Sequence, residues 1–239
     1  MKNMRHFLVV FLAFGITFCA EGQIRRTVYG NNHVVKKVRE AGQFTGIKVS
    51  SGIDVYLKQA GSESITVEAD ENLHEYIVTE IKGGILNVYS DANIREAEMK
   101  RVYVTMRDIT SLKTSSAGDL IGESPVTADA LELSASSAGD IKLELRARKV
   151  SVDISSSGDM TLSGEADMLE ASLSSAGDLN AYGLTVREAD VSVSSAGDAD
   201  ITVTERLKAR ASSAGDINYR GDPKYIDAHS SSAGGIHRK

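Results

Sequence analysis

The second half of this chain writes the pentapeptide Ser-Ser-Ala-Gly-Asp, or a one-letter variant of it, seven times. The copies carry Gly118, Gly139, Gly158, Gly177, Gly197, Gly215 and Gly234, so successive steps are 21, 19, 19, 20, 18 and 19 residues. A period of about 20 residues that tolerates slippage of one or two is the mark of a stacked repeat architecture. Each unit of such a stack buries its apolar side only against its neighbours.

Aligned by their glycines, the repeats alternate. Eight residues before the glycine stand Thr110, Leu131, Val150, Leu169, Ala189, Leu207 and Ile226; the positions six and four before it are also mostly apolar. The residues between them, such as Glu132, Ser151, Glu170, Asp190 and Lys208, are polar. Past the motif the pattern resumes with Leu120, Ile141, Met160, Leu179, Ala199, Ile217 and Ile236. Period two is the pattern of a half-buried strand. Each repeat therefore reads as strand, sharp bend, strand and short return. Stacked coils about 4.8 Å apart then form an all-β, right-handed parallel β-helix (solenoid) with about 19–20 residues per coil.

The motif residues have structural uses. The glycines are expected to supply a left-handed backbone at the bend. The aspartates, Asp119, Asp140, Asp159, Asp178, Asp198 and Asp216, are expected to cap it. The second serines, Ser116, Ser137, Ser156, Ser175, Ser195, Ser213 and Ser232, fall on the inward parity and predict a ladder of buried hydroxyls. An aligned aspartate column can be read as exposed turn caps or as a row of weak calcium sites. One carboxylate per coil supplies few of the 6–8 oxygens that calcium takes.

The first half keeps the β character without the motif. Residues 44–57 alternate on both sides of Ser50-Ser51-Gly52 and read as a degenerate first coil. Residues 65–69, 77–81 and 102–106 read as strands. Lys82-Gly83-Gly84 followed by 85–89 reads as a hairpin, and the polar stretch 91–100 as a loop or short helix. Residues 23–108 are thus expected to form an N-terminal β subdomain that caps the solenoid of 109–239. The extreme N-terminus, with Lys2, Arg5, an apolar run from Phe7 to Phe18 and Ala20-Glu21-Gly22, reads as a secretory signal over 1–22. Cleavage before Gln23 gives a soluble exported chain, and modification of Cys19, the only cysteine, would give a lipoprotein. Removing Lys2, Arg5 and Glu21 shifts the net charge from −6 to −7. An acidic chain without a basic block argues against nucleic acid, whose binding rests on Lys and Arg.

The segment Gly46-Ile-Lys-Val-Ser-Ser-Gly-Ile-Asp-Val55, the Gly-Gly-Ile-Leu hairpin and the Ser-Ser-Ala-Gly-Asp coils resemble the bacterial family named putative auto-transporter adhesin, head GIN domain, over roughly residues 40–235. The resemblance implies an exported β-helical envelope protein and brings no catalytic residues or cofactor. The sequence has no G-x-S-x-G elbow, no phosphate-cradling glycine loop and no histidine pair at metal-ligand spacing. An adhesin that grips a glycan or protein is the reading this favours. Its alternatives are a passive envelope or matrix component and a polysaccharide-degrading enzyme. The enzyme would use Asp178, Asp198 and Asp200 with Lys142 or Arg187. Tyr182 and Tyr219 are the aromatic candidates for sugar contact in the repeats.

Overall fold

The computed structural model describes residues 26–239, so the signal segment and Cys19 lie outside the described residues. Nine strands precede the regular repeats: β1 (Thr27–Tyr29), β2 (Val34–Arg39), β3 (Gly46–Val49), β4 (Asp54–Gln59), β5 (Ser64–Asp70), β6 (Ile77–Lys82), β7 (Ile85–Ser90), β8 (Asn93–Glu96) and β9 (Lys100–Met106). Ten follow: β10 (Ser111–Thr114), β11 (Asp119–Gly122), β12 (Val126–Ser136), β13 (Asp140–Ser155), β14 (Asp159–Leu173), β15 (Asp178–Val193), β16 (Asp198–Ala211), β17 (Asp216–Arg220), β18 (Tyr225–Ser230) and β19 (Gly235–Arg238). Together they build a β-solenoid of about 7 turns. No described helix is long and apolar enough to cross a membrane.

Each coil stacks on the next by parallel pairing, in register at the corners. Asp140 lies beside Asp159, Asp159 beside Asp178, and Asp178 beside Asp198. The inward residues of one coil, Ile141, Leu143, Leu145, Val150, Val152 and Ile154, are all buried. Burial of such a side chain stabilises the fold by about 1.5–3 kcal/mol. The middle coils lack the expected return loop. β13 runs unbroken from one corner to the next, because the chain turns its second bend inside the strand, where two neighbouring residues, Arg148 and Lys149, both escape burial.

The N-terminal strands continue the same sheet. β3 and β4 form a first coil around Ser51-Gly52 and pair in parallel with β10 and β11. On their other side they pair in parallel with β7 and β9. Antiparallel strands then close this end: β6 on β7, β5 on β9 and β2 on β5. The Gly83-Gly84 hairpin turn is present, with both glycines at positive φ. Residues 93–96, expected in a loop or short helix, instead form β8 against β1, because pairing with a distant strand outweighs a weak local preference. Asp70, fully buried, ties down this end by accepting the backbone N–H groups of Asn32, Glu98 and Met99.

The corners differ from expectation in which residue does what. The left-handed residues are the second serine and the residue after it: Ser116 and Ala117 have φ of 52° and 56°, and the other six corners repeat this. Both residues therefore point outward. Ser116, Ser137, Ser156, Ser175, Ser195, Ser213 and Ser232 are exposed, and no inward hydroxyl ladder forms. Its place is taken by a backbone ladder. The N–H of Gly52, Ala117, Ala138, Ser157, Ala176, Ala196 and Ala214 donates in each case to the second serine's carbonyl one coil on, at 3.0–3.2 Å. The motif glycines do not supply the positive φ. They lie on the inner side, where a Cβ would press on the preceding coil; at Gly158 it would stand 2.7 Å from the backbone of Ala135.

A candidate binding face

The corner divides each coil into an approach face, before the motif, and an exit face, after it. On the approach face most outward charges pair with one another, Lys48 and Asp153 being exceptions among the described residues. Lys113 bridges to Glu132 at 2.7 Å, Lys149 to Glu170 at 2.8 Å, Lys208 to Asp190 at 2.7 Å and Arg210 to Asp227 at 2.7 Å. Each pair joins adjacent coils.

On the exit face the two outward columns nearest the corner form no such rungs among the described residues. The first is Arg101, Asp54, Asp119, Asp140, Asp159, Asp178, Asp198 and Asp216, paired in register from β9 to β17. Among the described residues none of the aspartates of this column is in an ion pair. Burial raises the carboxyl pKa of Asp119, Asp159 and Asp198, and the like-charged aspartates above and below raise it further. The Asp178 carboxylate accepts the Asp198 N–H of the next coil at 3.2 Å, so this side chain caps its neighbour's strand. Among the described residues no three carboxylate, imidazole or thiolate groups converge on a point that could hold a metal ion.

The second column varies from coil to coil: Tyr103, Tyr56, Ile121, Lys142, Thr161, Asn180, Asp200, Asn218 and His237. It is aromatic and apolar at the capped end. Tyr56 and Tyr103 stack with centroids 5.3 Å apart, Arg101 lies over Tyr56 and Lys36 over Tyr103, and the Tyr103 hydroxyl donates to Glu68 at 2.8 Å. Farther along it becomes amide and carboxylate. Tyr56 stands at the expected outward place two residues after Asp54. Tyr103 sits in a coil without the motif and is not readable from the repeat.

Of the other sequence candidates, Tyr219 points inward and packs in the core, whereas Tyr182 points out from the exit face. Asp178 and Asp198 are neighbours in the aspartate column, and Asp200 stands in the column beside it. Lys142 lies three coils from Asp200 on that same column, about 14 Å away. Arg187 is elsewhere, at the second bend, paired with Glu205 at 3.0 Å and Asp167 at 3.7 Å. These groups do not meet. A groove of about 580 Å³ follows that second bend, lined in part by Ala128, Ala147, Ala166 and Val186. His74 is buried in the cap with Nε2 on the Val35 carbonyl, and burial lowers its pKa.

A family model described as putative auto-transporter adhesin, head GIN domain, matches residues 43–223. The chain belongs to this family. Three solved structures share its fold. An adhesin so described from Bacteroides fragilis is 20% identical, with a TM-score of 0.82, over 89% of this chain and 100% of its own. One from Parabacteroides distasonis is 25% identical, with a TM-score of 0.74, over 89% and 100%. A third, from the same species and titled a putative lipid binding protein, is 21% identical, with a TM-score of 0.71, over 90% and 100%. A search of curated proteins finds no match. This head GIN chain thus shares with those proteins a β-solenoid fold.

Proposed function

We propose that the protein is an exported, non-enzymatic adhesin of the cell envelope, and that its exit face holds the ligand, a glycan or a protein surface. The observation that carries this reading is the contrast between the two faces. The approach face closes most of its charges into rungs between coils. The exit face leaves a graded column, from Tyr103 to Asn218, beside a row of unpaired aspartates. Exposed aromatic and hydrogen-bonding groups in a fixed array are what a recognition surface needs. The family description and the signal-like N-terminus agree with a surface role.

The test is binding of the processed chain to glycan and protein arrays. It compares wild type with Tyr56→Ala and Thr161→Arg on the exit face and Asp153→Ala on the approach face. The exit-face variants should lose at least tenfold in affinity and Asp153→Ala should bind like wild type. Equal loss on both faces, or no binding on either array, overturns the reading.

A further inference from the structure

On the exit face one break in the repeat falls at Tyr182. Glycine steps of 20 and then 18 residues put a long coil next to a short one. Between Ala181 and Thr185 the pairing of β15 with β16 jumps, because Tyr182, Gly183 and Leu184 have no partners between Ile201 and Thr202. Bulges of this kind re-aim a side chain out of a regular sheet. Here the bulge is tied back by the Thr202 hydroxyl, which donates to the Tyr182 carbonyl at 2.9 Å.

The re-aimed ring is half-buried and carries the Arg220 guanidinium 3.9 Å from its centroid. Stacking fixes the guanidinium plane. Among the described residues no carboxylate forms an ion pair with Arg220, so its donors remain available. Beside it Asp200 accepts Asn218 Nδ2 at 2.9 Å, and burial followed by the nearby Asp200 carboxylate raises the Tyr182 pKa. A carboxylate has about four lone-pair positions, so Asp200 can accept more. Asn180 lies next to Asp200 in the column and is exposed.

We infer that Tyr182, Asp200, Asn218 and Arg220 form a subsite for the vicinal hydroxyls of a neutral sugar. This rests on the exit face being the binding face, and it names the ligand class. The donor set decides it. Arg220 and Asn218 donate and Asp200 accepts within one cluster, and a hydroxyl pair is the group that answers both at once. An acidic polymer would face Asp178, Asp198 and Asp216 in the adjoining column. A simple cation would face Arg220. Sites that hydrogen-bond a hydroxyl lose strongly when one partner is removed, since the remaining groups are left unpaired.

The experiment titrates the processed chain with a mannan, a galactan, a β-glucan and polygalacturonate, using wild type, Asp200→Asn, Arg220→Lys, Asn218→Ala and Thr161→Arg. Melting curves check that each variant folds. At least one neutral polymer should bind and polygalacturonate should not, with Asp200→Asn and Arg220→Lys each weakening binding about tenfold or more. If those two and Asn218→Ala bind like wild type while Thr161→Arg abolishes binding, the subsite falls and the exit face stands. If Thr161→Arg also binds like wild type, both fall. Binding of polygalacturonate alone, or of none of the polymers, overturns the neutral-sugar class; a protein hit lost in Thr161→Arg would then keep the face.

Discussion

At each of the seven motif corners two residues with side chains take a conformation that glycine takes freely, and the glycine stands next to them where no side chain fits. A left-handed alanine or serine costs roughly 1–2 kcal/mol. The backbone ladder from Ala117 to Ser137 and onward offsets it, since each corner N–H would otherwise be unpaired. The first coil already shows the relaxed solution, with Gly52 at the alanine position, φ 62°. Ala176→Gly should therefore raise stability by about 0.5–1 kcal/mol. Gly158→Ala should lower it by about 1–3 kcal/mol, because its Cβ would overlap the Ala135 backbone. Urea denaturation midpoints decide both; a destabilised Ala176→Gly would contradict the assignment of strain. The motif locates the corner in the sequence. It does not say which residue is left-handed, because glycine has two uses there, positive φ and the missing Cβ, and the letters cannot separate them.

The strands bring the aspartates into a row, and the row has a pH signature. Burial, then Asp140 and Asp178, holds the Asp159 carboxyl above its ordinary range. The folded chain therefore binds that proton more readily than the unfolded chain. Stability from this group is greatest at low pH and is lost as pH rises through the raised value. Glu132 behaves oppositely: Lys113 lowers its pKa, so its contribution is present at neutrality and lost on acidification. Asp159→Asn should be more stable than wild type at neutral pH and low salt, by up to about 1 kcal/mol per neighbour relieved. The gain should shrink with added salt and toward the ordinary carboxylate range near pH 4. Melting across a pH and salt grid tests this, and a gain that persists in high salt would point to burial of the carboxylate and away from the neighbouring aspartates. At this scale the sequence was informative: alternation and period together place each outward residue above its counterpart. What it hid were pairings made by tertiary context, such as β8 on β1, and the bulge at Tyr182, whose trace is only the 20-and-18 pair of steps.

Across the whole molecule, stability should follow position in the stack, since each coil touches only its neighbours. β13, β14 and β15 each pair along nearly their full length on both sides. β18 and β19 each pair with one strand, and Tyr225 and Ile226 are largely exposed. Hydrogen exchange should be slowest in the amides of the middle coils and fastest in β18 and β19; uniform protection from β10 to β19 would contradict this. The same repeated register also governs how such a chain can change length over evolutionary time. Loss or duplication of one whole coil, about 19 residues, rejoins every corner rung and every strand partner in the same register. Smaller insertions leave backbone groups unmatched unless a bulge absorbs them, as at Tyr182. Growth by unequal recombination is therefore quantised, and each added quantum brings one more step of the exit face together with one more carboxylate in the aspartate column.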